Sequence, residues 1–191
     1  MIGNGPVNYI AQNGIEAGDG STVSITNNYV FGNSYTGSGG ASSGGILVYG
    51  GPCFGVTNYE TNTQVVNNTA IGNDVGIYSL ALNASCDPPA KAIDNVISGN
   101  TLQDNADNNT SGDAPTTGYQ AGILDESNGD RITVNQICGL GYQTMNTATI
   151  VSLPIDTTDT NNVVVAGNTG CFSVTGPQPH GHGHHFPTWY W

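Results

Sequence analysis

Apolar residues in this chain come in short clusters with a period of two. Thr22-Val23-Ser24-Ile25, Gln64-Val65-Val66, Ala92-Ile93 with Val96-Ile97, Arg131-Ile132-Thr133-Val134 and Val163-Val164-Val165 are strand-length and rich in β-branched residues. That pattern predicts strands. No stretch keeps an i, i+3, i+4 apolar stripe, and glycine breaks every cluster, so helices beyond a turn or two are not expected. The clusters alternate with a repeated phrase. A Gly-Ile step occurs at Gly14-Ile15, Gly45-Ile46, Gly76-Ile77 and Gly122-Ile123, with a degraded last copy expected at Thr149-Ile150. Each leads to Asn-rich steps: Asn27-Asn28 and Gly32-Asn33, Asn67-Asn68 and Gly72-Asn73, Gly99-Asn100 and Asp104-Asn105, Val134-Asn135, and Gly167-Asn168. A phrase recurring roughly every thirty residues is the signature of a solenoid. It predicts about five stacked coils, a rod of roughly 25 Å at ~4.8 Å per coil. Asn suits the turns, because it tolerates the left-handed conformation and its amide can bond to the coil above or below as a ladder. Segments 34–43, 50–62, 83–90 and 106–117 interrupt the repeat and read as loops.

Charge narrows the partners. Only 8% of the 191 residues are charged, against roughly 25% in an ordinary globular protein. Lys plus Arg is 2, Asp plus Glu is 14, and the net charge is −12. Such a chain cannot neutralise phosphates, which excludes nucleic acid, and it lacks the basic clusters that anionic membranes recruit. No run is apolar enough to span a bilayer, and no secretory signal opens the chain, so the sequence reads as mature or trimmed.

The four cysteines follow the repeat. Cys53 and Cys86 are 33 residues apart, as are Cys138 and Cys171, which each follow a ladder Asn by three positions. Equivalent positions in stacked coils lie about one strand spacing apart, ~4.8 Å, within disulfide range. The spacing predicts Cys53–Cys86 and Cys138–Cys171 bridges and an extracellular or cell-surface location. The alternative is a stack of four buried free thiols.

The phrases GPVNYIAQNGIEAG, ITNNYVFGN, VVNNTAIGNDVGIY and ISGNTLQDN resemble secreted bacterial β-helix-repeat proteins of the pectin-lyase-like superfamily. The likeness spans roughly residues 3 to 172. It implies an all-β, single-stranded right-handed parallel β-helix, placed over residues 1–175; the repeat itself stops after Gly176-Pro177, which leaves a non-repeat tail at 176–191. It implies fold more than activity, since the repeat residues build the coil.

Many relatives of such folds cleave acidic polysaccharides, using carboxylates that hold calcium and a nearby Arg or Lys base. Only Lys91 and Arg131 are available here. Arg131 stands near Asp125, Glu126 and Asp130, the best candidate for catalysis or calcium binding. The competing reading is a structural pairing of a rare cation at a coil edge. A polygalacturonase-like Gly-His-Gly occurs at Gly181-His182-Gly183, without the paired Asp and Arg-x-Lys elements that accompany it. All four histidines, His180, His182, His184 and His185, lie in the tail, three of them on one face of an extended segment, where zinc, copper or nickel could bind. Phe186, Trp189, Tyr190 and Trp191 form an aromatic end suited to docking on the chain itself or on a neighbour. Sequons at Asn83, Asn108 and Asn109 fall in expected loops, whereas Asn67 belongs to the turn signature.

The expected function is that of a secreted, non-catalytic structural module. It associates with itself or with a surface, for example as a filament subunit, and has no firm cofactor. The alternative is a polysaccharide lyase or glycoside hydrolase. A further reading is passive glycan binding through Tyr49, Tyr78 and Tyr119.

Overall fold

A computed structural model describes residues 1–105, 118–147 and 150–170. Strand β1 (Ile2–Val7) precedes five turns of a parallel β-solenoid. The first turn holds β2 (Asn13–Ala17), β3 (Ser24–Thr26) and β4 (Tyr29–Tyr35). The second holds β5 (Gly44–Gly50), β6 (Gln64–Val66) and β7 (Thr69–Ile71), and the third β8 (Val75–Ala81), β9 (Val96–Ser98) and β10 (Thr101–Gln103). The fourth holds β11 (Gly118–Glu126), β12 (Arg131–Thr133) and β13 (Gln136–Cys138). After a short strand β14 (Met145–Asn146), the fifth holds β15 (Ile150–Asp156), β16 (Val164–Ala166) and β17 (Thr169–Gly170). Sheet A is β1-β4-β7-β10-β13-β17, sheet B is β14-β15-β11-β8-β5-β2, and sheet C is β16-β12-β9-β6-β3. All pairings are parallel except β14 with β15.

The Gly-Ile step marks one row of sheet B. Ile15, Ile46, Ile77, Ile123 and Ile155 stand in register and fill the core with Val30, Val65, Ile97, Leu102 and Ile132. The glycine ahead of each isoleucine lies against the next coil. A Cβ on Gly45, Gly76 or Gly122 would meet the carbonyl oxygen of Gly76, Gly122 or Pro154 at 2.6, 2.5 and 2.5 Å. The fifth copy is therefore Pro154-Ile155, and not Thr149-Ile150 as the sequence pattern suggests. The coil beyond Pro154 is replaced by antiparallel β14, so the demand for a bare Cα lapses there.

The Asn-Asn and Gly-Asn steps divide two tasks at the corner between sheets C and A. The first residue takes positive φ: Asn27 58°, Asn67 56°, Gly99 65°, Val134 52° and Gly167 66°. The second builds a ladder. The backbone N–H of Asn28, Asn68, Asn100 and Asn135 donates to the Oδ1 of Asn68, Asn100, Asn135 and Asn168 respectively, each at 2.9 Å. Each Nδ2 donates to the same oxygen, and from Asn68 onward also to a carbonyl of the preceding coil.

Val134 is the misfit, because a β-branched residue pays most for the left-handed region. Its side chain is largely solvent-exposed, so replacing it loses little burial. Val134→Asn should raise the unfolding free energy by about 1 kcal/mol, read by urea denaturation.

A second ladder, Asn33 to Asn73, stops after one rung. Asn105 is exposed and bonds Gln103, so it does not extend the ladder as the repeat suggests.

The Cys53–Cys86 disulfide forms across two loops, with Cα atoms 5.0 Å apart. Cys138 is also disulfide-bonded, and Cys171 lies outside the described residues.

Candidate functional site

The residues from Asp125 to Arg131 span the end of β11, the corner into sheet C and the start of β12. Alternation along the strands separates them. Asp125 follows Ile123 by two and points inward with it, while Glu126 lies on the outer side with Leu124. Asp130 turns inward at the corner, and Arg131 is exposed on the outer face of sheet C. Asp125 and Asp130 have no solvent exposure.

The interior pair is wired into the coil. Asp130 ends a column in which Val23 N–H donates to Thr63 Oγ1, Thr63 N–H to Asn95 Oδ1, and Asn95 N–H to Asp130 Oδ1 at 2.9 Å. Ser79 Oγ donates to the other Asp130 oxygen at 2.7 Å. Asp125 accepts from Ser127 Oγ at 2.9 Å and from Thr160 Oγ1 at 3.0 Å, and hydrogen-bonds to Asp130. Burial, with the neighbouring Asp130 charge second, pushes the Asp125 carboxyl well above its ordinary value. Asp125, whose raised carboxyl favours the protonated form, can donate the hydrogen bond that joins it to Asp130 as a structural joint inside the coil. No polymer can reach it, and Arg131 stands on the wrong side of β12 to serve it as base or counter-ion.

Glu60, which the sequence reading did not single out, is another buried acid. Its Oε1 accepts the N–H groups of Gly20 at 2.7 Å and Ser21 at 3.2 Å, tying the 51–62 loop to the preceding coil. Burial drives its carboxyl up to about 7, despite those two donors. Among the described residues, no group of three or more His, Cys, Asp or Glu side chains is placed to hold a metal ion.

The outward faces differ sharply. Tyr49, Tyr78 and Tyr119 point out from sheet B but are buried in a second apolar layer with Leu47, Leu80 and Leu124, so their rings offer no glycan platform. On sheet A the outer row Ile2, Phe31 and Ile71 stands in register, with Tyr29 beside Phe31. Ile2, Phe31 and Tyr29 are 81%, 43% and 54% exposed. Further along the same face the row turns polar, at Thr101, Gln103 and Gln136. Sheet A contains no charged side chain in any of its six strands, although the chain carries −12.

Asn83 is half-buried, and its Oδ1 accepts the N–H groups of Ser85 and Asp87. Asn108, Asn109, the histidines at 180, 182, 184 and 185, and the aromatic residues 186 and 189–191 lie outside the described residues. No described helix is long and apolar enough to cross a membrane.

The class these features define is a parallel β-solenoid of five turns with one uncharged, partly apolar face. Comparison with protein-family models, curated proteins and solved structures finds no match, so that class rests on architecture alone.

Proposed function

We propose that this chain is a secreted, non-catalytic structural module that associates with itself through the outer face of sheet A. The observation that carries this reading is the Ile2–Phe31–Ile71 row, exposed at Ile2 and Phe31 and half-buried at Ile71, on a charge-free sheet of a strongly acidic chain. Exposed apolar rows of this kind mark contact surfaces. On a chain of net charge −12, a charge-free face is where two copies meet with least repulsion. The inward acids serve the coil, which leaves the surface as the place for function. The Cys53–Cys86 bridge fits assembly outside the reducing cytosol.

Self-association should strengthen with salt, because screening removes repulsion between acidic copies and leaves the apolar contact intact. Sedimentation velocity and electron microscopy across a concentration series measure this. Phe31→Ser with Ile71→Ser should weaken association at least about tenfold while leaving the far-UV spectrum unchanged, as loss of one to two buried apolar side chains implies. A particle that stays monomeric at the highest concentration in high salt, with the tail aromatics intact or replaced by serine, would end the self-association reading.

A further inference from the structure

We infer that the apolar row of sheet A has an intramolecular occupant: the chain's own aromatic C-terminal segment, which folds back over Ile2, Phe31 and Ile71 and holds self-association in check. This rests on the proposed contact role of sheet A and adds its regulation. β17 is the last strand of sheet A, so the chain leaves the described solenoid at Gly170 on the sheet that carries the row. β4 lies four strands from β17 and β1 five, which is about 19 and 24 Å at the usual strand spacing. Fifteen residues separate Cys171 from Phe186. A chain of that length can span at most ~50 Å, so the row lies within its reach. An occupant on the same chain and within reach competes at an effective concentration of the order of millimolar, about a thousandfold above a second copy at micromolar concentration.

The chemistry of the two partners agrees. Phe186, Trp189, Tyr190 and Trp191 fall within the last six residues, and residues 171–191 contain no Asp, Glu, Lys or Arg. A flat, uncharged row of aliphatic and aromatic side chains is the surface on which such rings lose water at least electrostatic cost. The Tyr29 ring at the edge of the row offers an edge-to-face neighbour.

The two tryptophans of the sequence, Trp189 and Trp191, are both in this segment, so intrinsic tryptophan emission reports its environment directly. The full chain at about 1 µM, far below the effective concentration of the link, should show blue-shifted emission and several-fold protection from acrylamide quenching. Phe31→Ser with Ile71→Ser should abolish both signals without altering the far-UV spectrum. Phe186→Ser, Trp189→Ser, Tyr190→Ser and Trp191→Ser together should uncover the row and lower the concentration needed for association. Solvent-exposed emission in the unmodified chain overturns the inference. So does protection that survives Phe31→Ser with Ile71→Ser, since the segment then packs elsewhere. Protection that appears only as concentration rises, in step with sedimentation, also overturns it, because the segment then docks on a second copy. If instead the emission behaves as expected and no variant associates, the fold-back stands and the self-association reading falls.

Discussion

Asn100→Ala should lower the unfolding free energy by about 3–5 kcal/mol, a large fraction of the stability of a domain this size. The Asn100 side chain is buried and makes four hydrogen bonds. Its Oδ1 accepts from the backbone and the amide of Asn68, and its Nδ2 donates to Val65 O at 2.8 Å and Asn135 Oδ1 at 2.9 Å. Alanine removes all four and leaves two N–H donors and a carbonyl without partners inside the coil, where no competing water repays them. Position along the ladder sets the size of the effect. Asn28→Ala, at the half-buried end, removes bonds only to Thr26 O and Asn68 Oδ1 and should cost about 1 kcal/mol or less. Each coil touches only its neighbours, so a break at the third coil should also divide the solenoid into two halves that unfold less cooperatively. Urea unfolding followed by circular dichroism gives both the midpoint and the width. Equal losses at positions 28 and 100 would show that the ladder is not what makes Asn100 important.

This ladder was legible in the sequence because each of its positions imposes a local demand that few residues meet. A left-handed turn residue favours Asn or Gly, a stacked amide requires Asn, and a carbonyl pressed against Cα requires Gly. Those demands repeat with the coil, so the repeat could be read directly, and Cys53–Cys86 followed from it. The reading failed where the demand lapses, as at Pro154-Ile155, where no further parallel coil follows in sheet B among the described residues. It also failed where neighbours in sequence part in space. Asp125, Glu126, Asp130 and Arg131 look like one site within seven residues, yet alternation and the corner send Asp125 and Asp130 inward and Arg131 outward. The parity of these residues relative to Ile123 and Ile132 carried that information. The covering of Tyr49, Tyr78 and Tyr119 had no such local signal. The bond from Gly20 N–H that makes Glu60 part of the fold comes from 40 residues away in sequence, beyond any local pattern.

The buried acids predict a solenoid that is more stable at pH 5 than at pH 8. Glu60 has its carboxyl raised from 4.5 to about 7, chiefly by burial, and Asp125 moves in the same direction from 3.8 through burial and the adjacent Asp130 charge. A raised carboxyl means that the folded state binds the proton more tightly than the unfolded one. Between the two values the folded chain holds more protons, so the unfolding free energy falls as pH rises. The stabilisation is fully present below pH 4.5 for Glu60 and is lost as pH climbs through about 7. For Glu60 alone the change amounts to about 2–3 kcal/mol, with Asp125 adding to it in the same sense. Asp125→Asn separates the contributions. Its amide can donate to Asp130 as the protonated Asp125 carboxyl does, so it mimics protonated Asp125 at every pH. The variant should match the unmodified chain near pH 5 and exceed it by about 1–3 kcal/mol at pH 8. Glu60→Gln keeps an oxygen for Gly20 and Ser21 and should remove most of the remaining slope between pH 5 and 8. Denaturation midpoints measured at half-unit steps across that range test the pair of variants together. A midpoint that is flat or rises with pH in the unmodified chain would mean that neither acid is protonated in the folded state at pH 5. The reading of Asp125 as a protonated donor to Asp130 would then have to be abandoned.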